Sequence, residues 1–146
     1  MKRAENHTGK TVVKRLCVSQ EHLDQSRRAA QNAHPSEACG LLFGHEKDDS
    51  LIAVEFKVLP NIDHSSVRFS IDPSALYESL VEAEDRGLVL VAIFHSHLIG
   101  AHPSETDKKF MELWPIPWLI LSTTSNKFGA FMLDGGMCRE VKMQVT

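Results

Sequence analysis

The window from Ile93 to Phe110, IFHSHLIGAHPSETDKKF, gathers three histidines and two acidic residues into one short stretch. His95 and His97 are two positions apart, so on a strand both imidazoles project to one side and Ser96 to the other. Asp107 falls in the first turn of a helix, and the glycine-containing loop LIGAHP can fold its carboxylate back toward the histidines. Two nitrogens and one oxygen bind a divalent metal and leave a fourth position for water, the pattern of a catalytic zinc site. A blander use exists for part of it. Ser104 to Asp107 also fits a capping box, with Ser at the N-cap and an acid at the third helical position. His102 reads as a solvated loop histidine.

Hydrolysis at such a metal needs a general base beside the attacking water. Glu37 stands at the start of EACGLLFG, an acid next to an otherwise apolar run. Taken alone, a glutamate at a strand start is usually solvated. Other architectures built on His-x-His do not match. Leu98, Ile99 and Gly100 follow the pair, where metallo-β-lactamases need Asp and His. Glu105 comes too late for a cupin, and the His-x-Glu and Pro-Cys-x-x-Cys of zinc deaminases are missing.

The elements that must position these residues read as an α/β pattern. TVVKRLCVS alternates as a strand, and QEHLDQSRRAAQNAH runs as a helix with Ser19 as N-cap and Pro35 beyond its end. EACGLLFGHE and LIAVEFKVLP form a hairpin across DDS. VRFSI reads as a short strand. The next helix is capped by Asp72, has Pro73 in its first turn and ends at Gly87. LVLVAIFHSH, apolar and β-branched, is a central strand covered on both faces. PSETDKKFMEL is a short helix, IPWLILS a buried strand, and NKFGAFML and CREVKMQV are closing strands around DGG. The expected result is a single domain over residues 11–146 with a mixed sheet and two or three helices, preceded by a flexible tail over residues 1–10.

Composition narrows the classes of function. With 16 basic and 19 acidic residues the formal charge is -3, which argues against nucleic acid or an anionic membrane as the main partner. No run approaches the ~20 apolar residues that span a bilayer, and the polar start is no signal peptide, so a cytoplasmic protein is expected. Three cysteines, far apart, point to free thiols and not to a disulfide framework.

HPSEACGLLFG, followed by HSH, Ser104 and Asp107, resembles the JAMM (MPN-positive) zinc metalloproteases. Their pattern is a glutamate before a Cys/Ala-Gly-Leu-Leu-x-Gly strand, then His-Ser-His, then Ser-x-x-Asp. The resemblance runs from about Thr11 to Val145 and includes FSIDP. It implies an MPN fold of the cytidine-deaminase-like kind, with a curved mixed sheet. It also implies Zn2+ held by His95, His97 and Asp107, Glu37 as base and then acid, and Ser104 stabilising the oxyanion. The implied substrate is the bond after the C-terminal Gly-Gly of ubiquitin or a ubiquitin-like protein, in the manner of compact archaeal and bacterial deubiquitinase-like isopeptidases. Those forms include enzymes that trim ubiquitin-like sulfur carriers, and other relatives work inside larger complexes. Two departures stand out: Leu98 replaces the usual Pro, and nine residues separate His97 from Asp107, one fewer than is common. A non-catalytic MPN scaffold is the alternative, although such relatives generally lose the glutamate or histidines kept here. The substrate tail is expected to add as a strand beside VRFSI, with Arg68 and Phe69 in contact.

Overall fold

A computed structural model describes residues 12–146, so the tail expected over residues 1–10 lies outside the described residues. The chain forms β1 (Arg15–Val18), α1 (Gln20–Ala33), β2 (Cys39–Lys47), β3 (Ser50–Leu59), α2 (Pro73–Asp85), β4 (Val89–His97), α3 (Glu105–Met111), β5 (Trp118–Ser122), β6 (Lys127–Asp134), β7 (Met137–Glu140) and β8 (Lys142–Val145). The strands make one mixed sheet in the order β7-β6-β5-β4-β2-β3-β1-β8. β4 lies antiparallel to β2 and parallel to β5, with His95 opposite Cys39 on one side and Ile120 on the other.

The sheet is curved because both pairings of β2 are bulged, one between Phe43 and Gly44 against β3 and one between Leu42 and Phe43 against β4. A bulge bends its strand and increases the local twist. Gly44 makes the bend possible, since a Cβ there would lie 1.7 Å from the Ile52 carbonyl oxygen. The far ends of the sheet approach each other at Val141. This residue divides what reads in sequence as one strand, CREVKMQV, into β7 and β8. Its N–H donates to the Ala130 carbonyl on β6 at 2.8 Å, and the next N–H, of Lys142, donates to Lys14 beside β1 at 3.2 Å. The sheet is therefore nearly closed.

Two apolar clusters fill its two faces. α1 presents His22, Leu23, Ser26, Ala29 and Ala30, a stripe at helical spacing, to a core that includes Leu16, Leu42, Ala92, Phe94 and Leu121. On the opposite face Cys39, Leu41, Ile93, Trp118 and Ile120 pack with Ala83 of α2 and Met111 of α3. β4 is buried from Val91 to Ser96, as its apolar run predicts. Its C-terminal end, at the half-buried His97, lies where open α/β sheets place their ligand crevices.

One expected element is not formed. Val67 to Ile71 is not a strand but part of an irregular segment between β3 and α2. Its backbone groups are satisfied locally, because the buried Asn61 side chain accepts the N–H groups of Asp63 and Ser70 and donates to the Arg68 carbonyl. Ile62 N–H donates to the Ser70 carbonyl at 2.9 Å and closes the loop. A side chain thus does the work a neighbouring strand would have done.

Candidate metal centre

His95 and His97 end β4 on the α2 and α3 side of the sheet, and Asp107 reaches them from the first turn of α3. The cap orients that turn: Ser104 Oγ accepts the Asp107 N–H at 3.0 Å while Asp107 Oδ2 accepts the Ser104 N–H at 2.9 Å. The capping box and the His-x-His-Asp cluster are therefore one arrangement. Asp107 Oδ2 stands 3.0 Å from the Nε2 atoms of both histidines, which are 2.9 Å from each other. His95 is fully buried and Asp107 is 3% exposed.

The triad's donor set fits a cation. His97 Nδ1 faces the Gly100 carbonyl at 3.2 Å, and a carbonyl only accepts, so Nδ1 carries a hydrogen, and in the neutral ring Nε2 then turns a lone pair toward its neighbours. Electron-rich atoms about 3 Å apart repel unless a proton or a metal ion lies among them. Their spacing is close to the edge, roughly 3.3 Å, of a tetrahedron with metal–ligand bonds of about 2.0 Å. The cluster can hold a divalent metal ion. Phe69 and Trp118 fix the His95 ring: Phe69 stacks on it with centroids 4.7 Å apart, and Trp118 meets it edge-on at 5.6 Å. Its Nδ1 is buried with no hydrogen-bond partner among the described residues, so the ring's orientation is set by this packing and by the contacts of Nε2.

Glu37 is not solvated, contrary to its reading in isolation. It is 3% exposed, and its Oε1 is a buried oxygen with no hydrogen-bond partner among the described residues. Glu37, His95 and His97 each offer a donor atom within 4.8 Å of the others, so the carboxylate stands beside the triad. Burial pushes its pKa up to about 7, with His97 opposing the rise and Asp107 adding to it. Burial works in the same direction on Asp107, but hydrogen bonding to His95 and His97 outweighs it and holds that carboxyl well below the usual carboxylate range.

The backbone around Glu37 is tied to β4 by the middle residue of His-Ser-His. Ser96 Oγ accepts the Ala38 N–H at 2.8 Å, and Ser96 N–H donates to the Ala38 carbonyl at 3.0 Å. Ser96 and Phe69 lie within the HSH and FSIDP motifs, but the tie of Ser96 to Ala38, the stacking of Phe69 on His95 and the bonds of Asn61 are not revealed by motif spacing, although Pro60-Asn61 after a strand is a turn signal. His102 is exposed, its ring 5.3 Å from that of Phe131, and among the described residues no hydrogen bond or ring contact joins it to the triad. A narrow crevice of about 10 Å³ opens among Pro35, Ser36, Glu37, Ser66, Ser96 and His97. The cysteines are free thiols, as expected, and no described helix is long and apolar enough to cross a membrane.

This combination, a curved mixed sheet with a His-x-His strand end, a capped Asp helix and a buried Glu, defines a JAB/MPN-type domain. Residues 19–134 match the model of the prokaryotic homologs of the JAB domain, and the chain belongs to that family. It is 36% identical over 110 residues to the desampylase of Pyrococcus furiosus, covering 75% of this chain and 76% of that protein. To a probable TtuB-protein conjugate cleaving protease of Thermus thermophilus it is 34% identical over 123 residues, 83% of this chain and 78% of the relative. The CysO-cysteine peptidase of Mycobacterium tuberculosis is 32% identical over 95 residues, 64% of each chain. A solution structure of a protein from Desulfitobacterium hafniense superposes with a TM-score of 0.81 at 27% identity, covering 90% of this chain and 92% of the other.

Proposed function

We propose that this protein is a zinc-dependent (iso)peptidase that hydrolyses the bond after the C-terminal Gly-Gly of a ubiquitin-like modifier. The observation that carries the reading is the unpartnered, buried Oε1 of Glu37 beside the His95, His97 and Asp107 triad. The names of the relatives, two of them a conjugate-cleaving protease and a peptidase, point the same way.

His95, His97 and Asp107 would hold the ion. Bound zinc supplies Lewis-acid polarisation of the scissile carbonyl and makes water acidic enough to lose a proton near neutral pH. Glu37 takes that proton and returns it to the departing amine, a transfer worth about 10²–10⁴ in rate. Ser104 Oγ already accepts the Asp107 N–H, so its own hydrogen is left to donate to the oxygen of the scissile carbonyl as negative charge develops there. The crevice beside Glu37 has room for about one water. The expected tail contact by strand addition at Val67 to Ile71 is not part of this proposal, because that segment is no strand.

The test is cleavage of a ubiquitin-like protein fused through Gly-Gly to a reporter, before and after chelation. Activity lost with the metal and restored by zinc is the expected result. Cleavage indifferent to chelation would refute the metal's role.

A further inference from the structure

We infer that Asn61 is a positioning residue that locks the base Glu37 and the 62–70 loop into one unit, an inference that rests on the proposed hydrolysis. The loop is irregular, yet it forms a wall of the site: Phe69 stacks on His95 at 4.7 Å and Ser66 faces the crevice. Something must hold such a segment in register with Glu37.

The Asn61 side chain, 8% exposed, makes the join. Its Nδ2 donates to the Glu37 carbonyl at 3.0 Å and to the Arg68 carbonyl at 3.1 Å. Its Oδ1 accepts the Asp63 and Ser70 N–H groups, both at 3.0 Å. A carboxamide has two N–H donors and two lone pairs, so every bond it can make is made. A second tie runs backbone to backbone, Glu37 N–H to the Ser65 carbonyl at 2.7 Å. Glu37 is thus held on both sides of its Cα by the loop, and on its C-terminal side through Ala38 by Ser96.

The bonds separate by chemistry. Asn61→Asp keeps the size and the acceptor for Asp63 and Ser70, but loses both donors and turns an oxygen toward the Glu37 and Arg68 carbonyls. It therefore removes the side-chain tie to Glu37, and with it the bond to Arg68, while keeping the Asp63 and Ser70 bonds that turn the loop. None of the three metal-binding side chains hydrogen-bonds to Asn61, so metal content reports separately on the triad.

The experiment compares zinc-loaded unmodified protein, Asn61→Asp and Leu51→Ala, the last a core truncation remote from the site. The readouts are zinc content, unfolding midpoint, and kcat and KM on the Gly-Gly-linked fusion. A positioning role predicts full zinc and a kcat lowered by about 10²-fold in Asn61→Asp, the scale of a misplaced catalytic group. KM should change much less, and Leu51→Ala should lose stability but not kcat. Equal loss of kcat in both variants, or unchanged kcat in Asn61→Asp, would overturn the inference. Native-state hydrogen exchange on the unmodified protein covers the case in which Asn61→Asp does not fold. The Asp63 and Ser70 amides should be protected to the level of β2 amides, and exchange at free-coil rates would overturn the lock. An unmodified protein that cleaves nothing would count against the proposed function instead, whatever the exchange data show.

Discussion

α1 and α3 begin with the same device. In α1, Ser19 Oγ accepts the His22 N–H at 3.1 Å, and His22 Nδ1 accepts the Ser19 N–H at 3.2 Å. In α3, Ser104 and Asp107 exchange the corresponding bonds at 3.0 and 2.9 Å. Both N3 side chains are buried. They differ in what lies opposite. His22 takes its place in the stripe that α1 packs on the sheet, and no further side-chain hydrogen bond of its ring is found among the described residues. Asp107 Oδ2 also meets two histidine nitrogens from the end of β4. A local capping rule is thus a structural device in one helix and, in the other, also the means of aiming a carboxylate.

Replacing the N3 side chains should separate the two uses most sharply. Asp107→Ala removes one of the three groups proposed to hold the metal, and zinc content and cleavage should both fall to background. His22→Ala should leave both unchanged and lower only the unfolding midpoint. A zinc-replete Asp107→Ala would break the comparison, because α3 would then be capped for stability alone.

The cap hydroxyls give a smaller contrast. Ser104→Ala and Ser19→Ala should each lose about 1 kcal/mol of stability, the usual cost of removing such a cap. Ser104→Ala should in addition lower kcat by about 10²–10³ if its hydroxyl stabilises the oxyanion. Matched kinetics in the two variants would reduce Ser104 to a cap. The stability loss has a sharper local consequence in α3, whose seven residues are too few for a helix that stands on its own.

Much of this was legible in the sequence because spacing carries geometry. Alternation on β4 forces His95 and His97 onto one side, and Ser-x-x-Asp specifies both the cap and the reach of Asp107. The run Val91 to Ser96 is buried as its composition requires. Burial of Glu37 was not readable from its neighbours, since it depends on a loop returning from beyond β3. VRFSI misled for a related reason. Alternation reports which side chains face inward, not whether the backbone has a strand to pair with, and here the Asn61 amide supplies the bonds. The division of CREVKMQV at Val141 follows from closure of the whole sheet, which no local pattern encodes.

The most direct measurement is zinc content beside cleavage of a Gly-Gly-linked ubiquitin-like fusion, for the unmodified protein and Glu37→Gln in parallel. Equal zinc in both, with cleavage reduced by about 10²–10⁴ in the variant, is the result the site predicts. A Glu37→Gln protein that cleaves as fast as the unmodified one would contradict it, and so would one that fails to retain zinc.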